Sequence, residues 1–267
     1  MARILLFLVF VGLVSGPSAR AQERIRLATT TSTENSGLLA QLIPPFERRY
    51  GITVDVVAVG TGRALKLGER GDVDLVLVHA RVAEDRFVES GYGVDRHDVM
   101  YNDFVILGPI QDNVGIGGFK NAPAALSAVA AAGHPFISRG DDSGTHKKEM
   151  ALWAKAGVKP RGKWYKEIGQ GMSAAIIMAF EIQAYTISDR GTFLALAEKI
   201  RLAVLVEGAP DLYNPYGVIA VNPALYKHVN YKGALQFIEW LTSDQGQEII
   251  GNFQINGQNL FYPSAVR

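Results

Sequence analysis

The sequence predicts an α/β protein made of two parallel or mixed-sheet α/β domains joined by a two-strand hinge. Three observations carry this prediction. Apolar periodicity switches repeatedly between the two-residue period of strands and the 3.6-residue period of helices along most of the 267 residues, the pattern of strands feeding crossover helices. Two strand-like segments, over 101–107 and 216–221, separate one α/β set from another. No Gly/Ser-rich linker, low-complexity tract or fixed-period repeat lies between them, so two extended crossings read as a hinge that closes two domains on a ligand.

The elements follow in order. A strand over 25–28 leads into a Ser/Thr loop, then into a helix through Leu38, Leu39, Leu42 and Ile43 that Pro44 and Pro45 interrupt. A second strand spans 52–59, after which Gly60-Thr61-Gly62 opens a short helix. Residues 74–78 form a near-continuous apolar strand, as expected for a strand buried on both faces, and 82–89 form a helix closed by Gly91. Beyond the strand at 101–107, helices are predicted over 123–132, after Ser143, over 172–181 and over 192–199. Strands at 136–138, 183–187 and 202–206 alternate with them, and the closing helices cover 234–241 and 245–252. The expected division is 22–104 with 214–267 as a discontinuous first domain and 105–213 as the second, with a cleft between.

The first 21 residues read as an export signal rather than as fold. Arg3 precedes the apolar run 4–14, and Ala19-Arg20-Ala21 has the small-x-small pattern of a cleavage site, which predicts cleavage after Ala21 and periplasmic delivery. That run is too short for a permanent span, and nothing later approaches the ~20 apolar residues a span needs. There is no cysteine, which removes disulfides, thiolate metal sites and a lipidated anchor from consideration. The formal charge of +1 loses two arginines with the leader and becomes −1, leaving no basic field for nucleic acid or an anionic membrane. A hydrophobic content of 48% argues for a well-filled core and against disorder.

In open α/β sheets, ligands bind beyond the carboxyl ends of the strands, where helix N-termini present unpaired N–H groups. The predicted turns there read Thr29-Thr30-Thr31-Ser32-Thr33, Gly60-Thr61-Gly62, Arg139-Gly140-Asp141-Asp142-Ser143-Gly144-Thr145 and Thr186-Ile187-Ser188. A dehydrated oxyanion offers only acceptors, so hydroxyls and backbone amides suit it, and Arg139 adds one planar cation able to hold two oxygens. Singly, each turn is an ordinary N-cap or a solvated loop, and Arg139 is a candidate ion-pair partner of Asp141 or Asp142. Four such turns together favour an anion pocket.

Four stretches carry a family resemblance: T-T-T-S-T-E-N-S-G-L-L over 29–39, D-V-D-L-V-L-V-H-A over 72–80, S-R-G-D-D-S-G-T-H over 138–146 and Y-T-I-S-D-R-G-T over 185–192. They resemble the tungstate-binding proteins of bacterial tungstate ABC transporters across nearly the whole mature chain. The resemblance implies a type II periplasmic-binding-protein-like fold and a monomer that captures tungstate or molybdate for an ABC transporter permease in the inner membrane. It also implies ligand residues Thr30, Thr31, Ser32, Thr61, Arg139, Ser143, Gly144 and Thr145, with the Met172 amide and Thr186 beside them, and no cofactor. The R-x-D-x-S-G-T core is shared with phosphate-binding relatives, so another oxyanion such as phosphate or sulfate is the alternative cargo.

Other classes fit less well. Asp142, Ser143 and His146 as a phosphoryl- or sulfuryl-transfer relay would sit within one loop and helical turn, whereas such triads draw on separate elements, so the chain is not expected to be an enzyme. The five histidines show no paired spacing for a cation. His79 reads as a hydrogen-bonded core or rim residue. Arg139-Gly140-Asp141 as an adhesion motif is too short to argue. Trp153, Trp164, Phe237 and Trp240 read as core rather than as a sugar-stacking platform, and a regulatory or structural role would require a surface without a cleft.

Overall fold

The computed structural model describes residues 22–265, so the expected leader and its cleavage position lie outside the described residues. The chain opens with β1 (Glu23–Thr30), α1 (Thr31–Asn35), α2 (Leu38–Tyr50), β2 (Ile52–Val59), α3 (Thr61–Glu69), β3 (Leu75–Val78) and α4 (Arg81–Glu89). The 17-residue β4 (Gly93–Pro109) then leads to α5 (Ala122–Ala132), β5 (Phe136–Ser138), α6 (Gly144–Lys155), β6 (Tyr165–Glu167), α7 (Met172–Glu181), β7 (Tyr185–Asp189), α8 (Arg190–Leu196) and β8 (Leu202–Val206). A 3₁₀ turn (Pro210–Leu212) precedes β9 (Tyr213–Val221), α9 (Tyr231–Thr242), α10 (Asp244–Asn252) and the short strands β10 (Gln254–Ile255), β11 (Gln258–Asn259) and β12 (Tyr262–Pro263).

The main sheet runs β2-β1-β3-β9-β4-β7-β5-β6, with β8 and β12 also paired to β4. Strands β1, β2 and β3 are mutually parallel, as are β5, β6 and β7, while every pairing made by β4 or β9 is antiparallel. The expected α/β character is present, and the sheet is mixed because β4 and β9 make antiparallel pairings. Strand β4 pairs with β9 over residues 93–103 and with β7 and β8 over 104–109, so a single strand links both groups.

Apolar side chains form separate clusters on the two faces of each parallel group. In the first group, Leu27, Leu42, Phe46, Phe237 and Trp240 pack beneath one face, and Ala28, Leu65, Val76 and Phe87 beneath the other. In the second group, Phe136, Leu126 and Trp153 fill one face, and Ile137, Ile176 and Leu194 the other. Each group is therefore a helix–sheet–helix sandwich. Helices on both faces explain why all four β3 side chains are buried and why its sequence is continuously apolar.

Several sequence expectations change. Helix α2 continues through Pro44 and Pro45, because Leu38, Leu39, Leu42 and Phe46 form one uninterrupted buried stripe. The prolines remove the donors to the carbonyls of Ala40 and Gln41, but both residues are exposed and water can serve those oxygens. Thr29 and Thr30 of the expected Ser/Thr loop complete β1, and the residues from Thr31 to Asn35 are wound into the helical turn α1, capped by Thr30. The second crossing lies in the connection from β8 to Tyr213, since all of β9 pairs with β3 or with residues 93–103 of β4. Strand β6 and the last three strands are too short to leave a periodic signal. Among the described residues, no helix is long and apolar enough to cross a membrane.

Candidate anion-binding site

The carboxyl ends of β1, β2, β3 and β5 converge on a cavity of about 70 Å³ lined by Thr30, Thr31, Ser32, Val59, Gly60, Thr61, His79, Arg139, Ser143, Gly144 and Thr145. Each lining group follows from its strand end. Thr30 ends β1 opposite Val59 of β2, His79 comes directly after β3, and Arg139 directly after β5.

One wall is built of neutral donors. Thr30 Oγ1 lies 2.6 Å from Thr33 Oγ1 and 3.1 Å from Ser32 Oγ, and it accepts from the Thr33 N–H at 3.2 Å, capping α1. Gly60 caps α3 with no side chain to satisfy the first-turn N–H groups. Thr61, at the first position of that helix, is buried, and its Oγ1 has no hydrogen-bond partner among the described residues. An unpaired buried hydroxyl costs roughly 1–3 kcal/mol unless a ligand or water completes it.

The facing wall carries charge. Arg139 donates from Nε (3.1 Å) and Nη2 (2.5 Å) to Asp141 Oδ2, and Asp141 Oδ1 accepts from the Ser143 N–H at 3.2 Å. Burial works against ionisation of Asp141, but the hydrogen bonds from Ser143 and Arg139 outweigh it and hold its carboxyl below the usual aspartate value. Gly140 adopts φ +60°, and a Cβ there would meet Glu167 Cβ at 2.7 Å, so this turn requires glycine. Ser143 caps α6 by accepting from the His146 N–H at 3.3 Å, and Gly144 and Thr145 open its first turn.

Beneath this loop lies a buried carboxyl group. Glu149 is almost fully buried and accepts from Ser138 Oγ (2.7 Å), Tyr165 OH (2.8 Å) and Trp153 Nε1 (3.0 Å). Burial pushes its pKa above the ordinary glutamate value despite these bonds. Ser138 Oγ also accepts from the Gly140 N–H at 3.3 Å, so Glu149 braces the turn that presents Arg139.

Eight of the ten residues expected from sequence share the cavity; Met172 and Thr186 do not. The Thr186 hydroxyl turns into the sheet and donates to the Ile137 carbonyl at 2.8 Å. Met172 is buried in an apolar cluster with Ala175 and Ile176, while its neighbour Ser173 lines a separate cavity with Asp189 and Asn102. His79, which its sequence context suggests is a hydrogen-bonded core or rim residue, also stands in the cavity wall, and its place directly after a buried parallel strand is the signal for that. Burial lowers its pKa, and its Nδ1 lies 3.1 Å from Asn214 Oδ1.

The geometry provides no nucleophilic relay. Ser143 Oγ accepts a backbone N–H, and His146 Nδ1 accepts from the Asp142 N–H at 3.0 Å, so the imidazole does not serve Ser143 as a base. Among the described residues, no group of His, Cys, Asp and Glu could hold a metal cation. What the cavity offers is hydroxyl and amide donors with one arginine, an arrangement suited to binding an anion.

Comparison with known proteins agrees with this chemistry. A family model described as a PBP superfamily domain matches residues 16–245. The chain is 51% identical over 249 residues to a putative ABC transporter anion-binding protein of Haloferax volcanii, covering 91% of this chain and 73% of that protein. It is 46% identical over 252 residues to the tungstate-binding protein TupA of Peptoclostridium acidaminophilum, covering 93% and 88%. Among solved structures, that of the tungstate ABC transporter from Geobacter sulfurreducens is 54% identical, with a TM-score of 0.79 over 88% of this chain and all of the other.

Proposed function

This chain belongs to the PBP superfamily, and from that premise we propose that it captures tungstate or molybdate and delivers it to the permease of an ABC transporter. It is a binding protein and not an enzyme, as its TupA relative is a binding protein. The protein acts in the periplasm as a monomer, after cleavage behind Ala21. Residues 22–104 with 214–267 form one domain and 105–213 the other, and they close on the anion. Thr30, Thr31, Ser32, Thr61, Arg139, Ser143, Gly144 and Thr145 donate to its oxygens, and the Arg139 fork orients it.

The observation that carries this reading is the orphaned Thr61 Oγ1, buried with no partner in a cavity lined by other donors. Charge balance supports it as well. Asp141 offsets part of the Arg139 charge, so a dianion here would rely on hydroxyls and on the ends of α3 and α6, each worth on the order of half a charge. Relatives named for tungstate and for ABC transport support the cargo and the partner.

The test is calorimetry of the mature chain with tungstate, molybdate, sulfate and phosphate at one salt concentration. Tight, saturable binding of the first two and weak or absent binding of the others is expected. A thousandfold excess over Kd should also add about 4.1 kcal/mol to stability and raise the melting temperature. Tighter binding of phosphate or sulfate would reassign the cargo, and no binding of any oxyanion would refute the function.

A further inference from the structure

Across the cavity, the first turn of α6 approaches His79 at a glycine. A Cβ built on Gly144 would lie 3.3 Å from His79 Cε1 and 3.6 Å from Thr61 Oγ1. The first distance is tighter than ordinary contact, so one of the two sides would have to give. Gly144 does not need glycine for its own backbone, because it has no positive φ and sits at the first position of a helix. The backbone there would accept any residue, alanine included. Close packing against His79 is therefore what the absent side chain permits.

The histidine is held where it cannot easily yield. Its Nδ1 meets Asn214 Oδ1 at 3.1 Å, and Asn214 Nδ2 donates to Asn102 Oδ1 at 2.7 Å. Asn102 and Asn214 are both buried, and they face each other in register on the paired strands β4 and β9. The imidazole stacks on Tyr216 with ring centroids 4.7 Å apart, and Tyr216 packs edge-on against Phe261 at 5.6 Å. The ring is thus fixed from behind by the paired strands β4 and β9 and from below by a buried aromatic pair, while its Cε1 side meets the opposing helix.

We infer that His79 is a specificity-determining residue, a rigid stop against which Gly144 closes and which sets the size of oxyanion the cavity accepts. The inference rests on the oxyanion-binding reading above and deepens it. Thr61, Arg139 and the helix ends provide attraction, which any tetrahedral dianion would feel. The His79–Gly144 contact limits how far the walls approach, and so ties donor positions to one ion radius.

A double-mutant cycle tests this, with tungstate and sulfate titrated into the wild type, Gly144→Ala, His79→Ala and the double variant. Gly144→Ala alone should weaken tungstate binding about tenfold by holding the walls apart, and His79→Ala alone should narrow the preference for tungstate over sulfate about as much. In the double variant the new methyl enters the space the ring has left, so its tungstate affinity should exceed that of Gly144→Ala. A residue that merely supports folding would not produce such a rescue. Additive losses in the double variant, or unchanged selectivity in His79→Ala, would overturn the inference while leaving oxyanion binding intact. A wild type that binds neither ion would overturn the function and this inference together.

Discussion

Two arginines occupy equivalent places in the second parallel group. Arg139 follows the end of β5 and Arg190 the end of β7, and their side chains are almost equally exposed, at 17% and 16%. Their surroundings differ. Arg190 grips Asp103 through Nε (2.7 Å) and Nη2 (2.6 Å), and its Nη2 also reaches Glu207 at 2.7 Å. Its charge is more than matched by two carboxylates, and Asp103 lies where β4 passes from one group of strands to the other. Arg139 meets a single carboxylate oxygen, on Asp141, and borders the cavity. Residue type and topological position do not separate these two arginines. The number of carboxylates each fork already serves does, and it is the basis for proposing Arg139 rather than Arg190 as the ligand residue.

The strongest way to break this comparison is to remove both forks in turn. Arg139→Ala should lower tungstate affinity at least about thirtyfold, since truncating a buried charge partner costs ~2–5 kcal/mol, and should lower the melting temperature less than Arg190→Ala does, because Asp141 keeps the Ser143 N–H. Arg139→Lys should keep part of the affinity but lose selectivity against sulfate, because an ammonium lacks the planar fork. Titration of both variants decides, and wild-type binding by Arg139→Ala would take Arg139 out of the site.

Arg190→Ala should give the opposite pattern. Leaving Asp103 without its partner should cost about 1–3 kcal/mol, which for a chain of this size is roughly 2–10 °C in melting temperature. Tungstate affinity should change less than in Arg139→Ala. An affinity loss without a stability loss would mean that Arg190 acts on the ligand.

A pH series sharpens the contrast beneath the Arg139 loop. The Glu149 pKa is raised by burial from the ordinary value of 4.5, so the native state holds this proton more tightly than the unfolded chain. The associated stability is fully present below the unfolded value and is lost as pH rises through the folded one. Asp141 has the opposite sign: its pKa is depressed, and its contribution is lost only as pH falls through that lower value. Melting temperature against pH should therefore decline above 4.5 in the wild type relative to Glu149→Gln. Parallel curves would mean that Glu149 is not buried as a titrating acid.

The smallest effect is expected at Arg63, exposed on α3 two positions from Thr61. Arg63→Ala should change affinity by no more than about twofold and stability by under about 0.5 kcal/mol. A larger loss of affinity would show that charge near the cavity matters even without contact.

Much of the fold could be read from local pattern. Strands such as 136–138 and 202–206 and the helix over 172–181 match the structure because period and composition agree there. Where local chemistry and packing conflict, packing prevails: α2 carries two prolines because Leu38, Leu39, Leu42 and Phe46 make a face that must be covered. The cavity was legible to the extent that its residues sit in turns rich in Ser, Thr and Gly, which place donors at strand ends whatever the surroundings.

What sequence alone determined is therefore the alternation of elements and the donor chemistry of their connecting turns, both set by residues near one another in the chain. Tertiary structure decided which donors remain free. Thr61 and Thr186 are alike in sequence as hydroxyls near strand ends, yet Thr186 donates a hydrogen bond to the Ile137 carbonyl across a strand pair and Thr61 keeps an oxygen unpaired among the described residues. His79 and Gly144 are 65 positions apart (144 − 79), and only the tertiary fold brings the ring to the glycine. Hydrogen-bond satisfaction and close contact belong to pairs of groups in space, so no local pattern can report which member of a set of similar side chains is left to meet a ligand.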